Sequence, residues 1–187
     1  TMANRNTRGF GLIAAGTLGS TPATSGQGKY KIDAGSSTTI FHGGAVASAA
    51  GYIVEGQGTD TPILGVLNGI FYNAATTLKP TFANHYVQVT PANSEDIDAF
   101  VFDNPQQQYV VSIDNTLAQA GYLETYDMNV SAGSLTTGQS SATLDHDDTS
   151  ADGASWRLLR SAEDPENDEN AAFRSVVVVA NLTELQS

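Results

Sequence analysis

Cysteine is absent from the 187 residues, and this absence excludes disulfides, thiolate zinc sites and cysteine nucleophiles. Long apolar runs are missing as well. The longest apolar block, residues 176–180, is far shorter than the roughly 20 residues that span a bilayer. We therefore expect a soluble protein with no membrane contact.

Basic residues are scarce, with 8 Lys and Arg against 20 Asp and Glu, for a net charge of −12. Arg5, Arg8, Lys29 and Lys31 give the first 31 residues a charge of +4, which leaves −16 for the rest. The acidic remainder should repel nucleic acid, because phosphate binding needs clustered cations. The basic first 31 residues are complementary in charge to an acidic protein surface, including that of a neighbouring copy of this chain. The acidity also serves solubility.

Helical periodicity is nearly absent; only residues 116–123 favour a short helix. After residue 36 the chain alternates short apolar runs with turn residues, which is typical of strands. We predict an all-β fold: a single β-sandwich or barrel-like domain over residues 37–187, with about ten short strands and at most one short helix. The candidate strands are residues 38–41, 52–55, 63–72, 86–90, 99–103, 108–114, 126–130, 141–145, 156–161 and 173–182.

Residues 1–36 are dominated by Gly, Ser, Thr and Ala, which offer little apolar surface against the entropy of ordering. We therefore expect an extended N-terminal arm outside the β domain. A tail without a role is the alternative. The arm's basic and large apolar residues are the candidate protein-interface residues: Arg5, Arg8, Phe10, Leu12, Ile13, Lys29, Tyr30 and Lys31.

Two predicted strands differ in their burial pattern. Tyr109, Val111 and Ile113 alternate with other residues, so one face of their strand should be buried. The four consecutive valines at 176–179 are apolar on both faces, so their strand should be central or covered by another chain. Trp156 leads a strand of its own, and we expect it in the core.

The stretch TLDHDDTSADG, residues 143–153, contains four aspartates and His146. Asp145 and Asp147 occupy two calcium-loop positions, but Thr149 and Ser150 stand where the third ligand and the glycine belong. His146 has no histidine at zinc-ligand spacing. We expect a solvated hairpin loop that joins strands 141–145 and 156–161.

The stretch SAEDPENDEN, residues 161–170, is a second acidic cluster. Catalytic carboxylates face each other across a cleft, whereas these are neighbours on one predicted loop, so we expect a charged surface. The chain has no G-x-S-x-G elbow and no phosphate-binding glycine loop. We expect no catalysis, no cofactor and no metal.

Three short sequence segments nevertheless resemble those of a known family. They are Asp103-Asn104-Pro105 before a strand that reads YVVSID, GQSSATLD over residues 138–145, and Asp168-Glu169-Asn170 before the closing valine strand. Together with the segment order from Thr38 to Glu184, they resemble capsid decoration (cement) proteins, which tailed phages of aquatic bacteria encode beside the major capsid protein.

The resemblance implies a structural protein on the outer surface of a phage head, made in the host cytoplasm. It implies the major capsid protein as partner and a homo-oligomer, with a trimer favoured. An arm tethered to a docked body would rebind at high effective concentration. A glycan-binding or adhesin-like module of a tail or fibre is the alternative, and a hydrolase of the β-sandwich type is a third class.

Overall fold

The computed structural model describes residue 4 and residues 8–19, 26–56, 61–150 and 153–185. Almost all regular structure in these residues is β-strand, and none of their helices is long and apolar enough to cross a membrane. The strands are β1 Ile13–Thr17, β2 Gly28–Ile32, β3 Ala45–Ala49, β4 Tyr52–Glu55, β5 Gly65–Asn73, β6 Pro80–Ala83, β7 Ile97–Phe102, β8 Gln107–Ser112, β9 Thr125–Asn129, β10 Thr143–Ser150, β11 Trp156–Ser161 and β12 Ser175–Ala180.

These strands form two antiparallel sheets. The order in the first sheet is β1-β8-β12-β11-β9-β10, and in the second it is β2-β7-β5-β3-β4, with β6 paired to β5 beyond β3. Neither sheet is a closed barrel. The predicted all-β class is confirmed, and of its two forms the β-sandwich is the one observed.

The apolar core divides into two clusters, of which the first joins residues of the first sheet to Ala45 and Val66 of the second. In the first cluster, Trp156 is buried and meets the Tyr109 ring edge-on, with centroids 5.6 Å apart. The predicted core position of Trp156 is therefore confirmed. The second cluster includes Ile32, Leu67 and Ile97. Because the outer strands β2 and β4 contact each other, the second sheet curves, and this cluster fills its concave side.

The valine strand β12 is central, as predicted, between β8 and β11. Val176 to Val179 are all buried. Val177 lies opposite Arg160 and Val179 lies opposite Arg157 on β11. The Arg160 guanidinium donates to Gln108 Oε1 on β8, 3.2 Å away, so this side chain crosses the outer face of β12. Arginine stems thus help to cover that face.

The N-terminal segment departs from the expected separate arm, because two of its stretches are edge strands. β1 pairs with β8 in the first sheet, and β2 pairs with β7 in the second. Gly9 lies so close to the Ser141 carbonyl oxygen that a Cβ would stand 2.1 Å from it. The small residues that suggested a free arm are therefore what permits this close packing. Residues 1–3, 5–7 and 20–25 lie outside the described part of the chain.

Asn4 fixes the start of this segment to the far end of the chain. Its Nδ2 donates to the carbonyl oxygens of Asp168 and Ala172, at 3.2 and 2.9 Å, and its Oδ1 accepts from the Asp168 backbone N–H at 2.6 Å. The residue is 6 % exposed. A side chain 164 residues away in sequence thus satisfies the backbone of the acidic loop.

Several other predictions need correction. The predicted strands do not include β1, β2, β3 or β6, while residues 38–41 and 86–90 contribute one isolated bridge, Ile40 to Tyr86. The predicted helix at 116–123 is only a 3-10 turn, Gln119–Gly121. The hairpin between 141–145 and 156–161 is wrong, since β10 and β11 flank β9 on opposite sides. Residues 151–152 lie outside the described part.

We predict that Asn4→Ala lowers the free energy of unfolding by about 1–3 kcal/mol, because buried backbone groups lose their partners. Urea unfolding followed by circular dichroism measures this change. Asn129→Ala, on an exposed strand position, is the matched control and should stay within about 0.5 kcal/mol of the parent. Equal losses in the two variants would contradict a structural role for Asn4.

Candidate protein-interaction surface

The predicted interface residues fall into two separate groups. Arg5 lies outside the described residues. Arg8 and Ile13 are exposed and Phe10 is half-buried beside the first sheet. Leu12, by contrast, is 2 % exposed and belongs to the first core cluster, so in this structure it does not face a partner. The prediction for Leu12 is therefore wrong, because its side chain fills the protein's own core.

The second group lies on β2, where side chains alternate between two faces of the second sheet. Lys29 and Lys31 point outward, whereas Tyr30 packs against the second core cluster. The Lys29 Nζ atom lies 2.8 Å from Asp98 Oδ2, and the Lys31 Nζ atom lies 2.6 Å from Asp98 Oδ1. One carboxylate on β7 thus holds both lysines.

Two opposing effects determine the pKa of Asp98. Burial raises the pKa of this carboxyl, but hydrogen bonds and charge attraction from Lys29 and Lys31 outweigh it, so the pKa lies below its ordinary value. The hydrogen bond to Asp98 raises the pKa of Lys31 in turn. Asp98 and Lys31 are therefore both charged at neutral pH.

The register places aromatic side chains beside this ion pair. Lys31, Asp98, Phe71 and Phe82 lie in one cross-strand row over β2, β7, β5 and β6. The rings of Phe71 and Phe82 are 4.7 Å apart between centroids, and Phe82 is 74 % exposed. Phe100, opposite Lys29 in the next row, is half-buried. We call this outer surface, Phe71, Phe82 and Phe100 with Lys29 and Lys31, the phenylalanine face.

Leu78 extends the apolar surface at the turn between β5 and β6. Its φ of 54° lies in the left-handed region, which a leucine rarely adopts, and it is 73 % exposed. The Leu78 backbone N–H donates to the Ala74 carbonyl oxygen at 2.8 Å, which closes the turn. Leu78 therefore adds a large exposed apolar side chain to the turn that joins β5 and β6.

The opposite face of β2 borders a groove of about 660 Å³ that opens between β2 and β4. We call it the tyrosine groove. Its lining is mostly apolar, with a tyrosine on each side and a glutamate from the C-terminal segment. The lining residues are Tyr30, Ser48, Gly51, Tyr52, Ile53, Pro62, Leu64, Thr183, Glu184 and Leu185.

Both tyrosines of the groove donate to carboxylates. Tyr30 Oη donates to Asp103 Oδ2 at 2.8 Å, and Tyr52 Oη donates to Asp96 Oδ2 at 3.2 Å. Burial, followed by the Asp103 hydrogen bond and charge, raises the pKa of Tyr30 to about 12. The hydrogen bond and charge of Asp96 raise the pKa of Tyr52. Both phenols stay protonated at neutral pH, and both orient a carboxylate.

The aspartate-rich stretch at 143–153 is largely strand β10. The His146 backbone N–H donates to Asp114 Oδ1, and its ring Nδ1 lies 3.0 Å from Asp147 Oδ1. The described residues contain no group of three or more His, Asp or Glu side chains arranged to hold a metal ion. Asp152 lies outside the described part.

The acidic loop at 161–170 is ordered by internal contacts. Asn167 Nδ2 donates to the carbonyl oxygens of Ala162 and Ser175, at 3.1 and 2.9 Å. The buried Arg174 guanidinium donates to the Glu169 carbonyl oxygen at 3.0 Å and to Tyr122 Oη. The loop's carboxylates at 163, 164, 166 and 169 are exposed. The loop is therefore a charged surface on a fixed backbone.

Sequence reasoning missed Phe71, Phe82, Phe100, Tyr52 and Glu184. One signal was present: Asp98, Phe100 and Phe102 alternate with smaller apolar residues, which predicts an aromatic outer face on that strand. Phe82 gave no such signal, because β6 has only four residues. Its position beside Phe71 follows from register alone.

Comparison of the chain with protein-family models, with curated proteins and with solved structures yields no match.

We predict that Asp98→Asn lowers the free energy of unfolding by about 1 kcal/mol at pH 7, because both lysines lose their counter-charge. Folding lowers the pKa of Asp98, so its stabilising contribution is present above the ordinary carboxyl pKa and disappears as the pH falls through the lowered one. Urea unfolding at pH 7, 5 and 3 should therefore show the variant converging with the parent in acid. A difference that is independent of pH would contradict this account.

Proposed function

We propose that this protein is a structural virion protein that binds the outside of a phage head and stabilises it, without catalysis. The observation that carries the proposal is the phenylalanine face, where exposed aromatic rings stand on paired strands beside fixed lysines. The resemblance of the three sequence segments described above to those of capsid decoration proteins supports the same function.

A docking protein gains affinity from large apolar side chains that are already held in place. Phe82 is exposed but packed against Phe71, so little side-chain entropy remains to be lost on binding. Aromatic residues at the centre of a contact, ringed by charged residues, are typical of the few positions that dominate binding energy. Lys29 and Lys31, neutralised in part by Asp98, form that rim.

The partners in this proposal are the major capsid protein and further copies of the chain, with a trimer as the favoured assembly. Because many copies bind to one shell, modest affinity at each contact gives strong attachment overall. The role of the N-terminal segment is narrower than an arm of 36 residues, since β1 and β2 belong to the sheets. Arg8 remains an exposed cation for a neighbouring acidic surface.

Truncation is a poor test of this proposal. Deleting residues 1–31 removes β1 and all but one residue of β2, and with them the edges of both sheets. Loss of binding would then report unfolding. Single substitutions on the phenylalanine face avoid this problem.

We predict that Phe82→Ser lowers the affinity for heads assembled from the major capsid protein by about 5- to 30-fold, as expected for a central aromatic contact. Co-sedimentation with empty heads measures the bound fraction. Leu123→Ser is the matched control, since Leu123 is also a large exposed apolar residue but its backbone N–H bonds to Leu158 of the first sheet. Undiminished binding by Phe82→Ser would overturn the assignment of this face.

A further inference from the structure

Two cavities adjoin at the end of the second sheet where β5 ends and β7 begins, and Pro91 lines both of them. One, of about 370 Å³, lies over the outer face of the sheet, and we call it the sheet cavity. The other, of about 550 Å³, lies between residues 34–35 and 88–91, and we call it the loop cavity. Each volume falls within the roughly 300–1,000 Å³ that is typical of small-molecule sites.

Backbone contacts hold the wall between the two cavities in place. Pro91 forms a β-bridge with Ala74, and the Ala75 backbone N–H donates to the Thr90 carbonyl oxygen at 3.0 Å. The segment at 90–91 is therefore tied to the end of β5. A ligand meets a wall that is already ordered, which lowers the entropy cost of binding.

The sheet cavity combines an aromatic ring with polar side chains. Phe71 lies opposite Asp98 in the ladder between β5 and β7, and Asn73, the last residue of β5, is on the same face as Phe71. All three residues line the cavity. The C–H groups of a pyranose ring pack against an aromatic face, while its hydroxyls bond to amide and carboxylate groups. The lining is therefore complementary to a sugar ring.

The charges of the sheet cavity argue against an ionic ligand. Its lining contains the carboxylates of Glu95, Asp96 and Asp98 and the ammonium group of Lys31. The carboxylates would repel an anion, whereas Lys31, with its Nζ 2.6 Å from Asp98 Oδ1, already occupies the place beside Asp98 that a ligand cation would take. A hydroxyl both donates and accepts hydrogen bonds, so a neutral polyol bonds to groups of both signs.

Asp96 is held in place and keeps acceptor capacity. Its Oδ2 accepts from Tyr52 Oη at 3.2 Å, and its Oδ1 accepts from the Ala34 backbone N–H at 3.4 Å. These neutral donors fix the carboxylate and leave each oxygen a second acceptor position. Ala34 lines the loop cavity, so Asp96 lies near the junction of the two cavities.

The loop cavity has a neutral lining. Each residue that the structure places there is uncharged, and Gln88, Thr90 and Ser94 supply exposed amide and hydroxyl groups. Val89 and Pro91 add apolar contact. A second sugar ring therefore meets both hydrogen-bonding and apolar groups, with no charge to desolvate.

We propose that the two cavities together bind a neutral oligosaccharide, with one pyranose ring against Phe71 in the sheet cavity and the next ring in the loop cavity. Asp96 and Asn73 bond to hydroxyls of the first ring, and Gln88 bonds to a hydroxyl of the second. The site shares Phe71 and Lys31 with the phenylalanine face, but it does not depend on the binding of a phage head.

The test uses the full chain and three neutral trisaccharides that differ in linkage, maltotriose, cellotriose and laminaritriose, with trigalacturonic acid as the acidic counterpart. Isothermal titration calorimetry should give saturable one-to-one binding of at least one neutral sugar, with a Kd of about 0.1–5 mM, and no binding of the acid. Asn73→Ala in the sheet cavity and Gln88→Ala in the loop cavity should each weaken that binding by about 3- to 10-fold, since each removes one amide partner.

The matched control is Asn129→Ala, which removes an exposed amide from β9 of the first sheet. It should change the affinity by less than about 2-fold. Circular dichroism checks that each variant is folded. No saturable binding of any of the three neutral sugars, equal binding of the acid, or an unchanged affinity in either cavity variant would overturn the proposal.

Discussion

Backbone pairing of β1 and β2 with strands from the middle of the chain is the constraint on which both sheets depend. β1 closes one edge of the first sheet against β8, and β2 closes one edge of the second against β7. Leu12 and Ile32, next to or within these strands, fill different core clusters. The N-terminal segment therefore ties the two halves of the molecule together, and Asn4 fixes its beginning to the loop before β12.

The side chains of β2 alternate between the two faces of the second sheet, so this one strand contributes to two different surfaces. Lys29 and Lys31 meet Asp98 on the outer face, while Tyr30 turns inward, lines the groove and donates to Asp103. Gly28 makes the inward arrangement possible, since a Cβ at this position would stand 2.2 Å from Asp103 Oδ2. Any change in the register of β2 by one residue would exchange these faces and dismantle both surfaces.

The sequence predicts those strands whose burial signal is local. Four successive valines place β12 in the centre of a sheet, and the alternation in β8 and the position of Trp156 indicate the core. β1 and β2 carry no such signal, because small and charged residues form strands there only through partners 65 to 97 positions away. The phenylalanine face depends on that same pairing, and the tyrosine groove depends on curvature of the sheet. Neither is encoded by residues that are neighbours in sequence.

The wide separation of these partners affects how the chain is made. A ribosome releases β1 well before β8, so Ile13 has no counterpart until Val110 has emerged, nearly a hundred residues later. During this interval the nascent N-terminus has nothing to pair with. Such long-range closure is slow, because the entropy of a large loop is lost before any contact compensates for it. The first sheet therefore cannot close until β12 has followed β8, whereas every strand of the second sheet is present once residue 102 has been made, so the edges of β1 and β8 stay open longest.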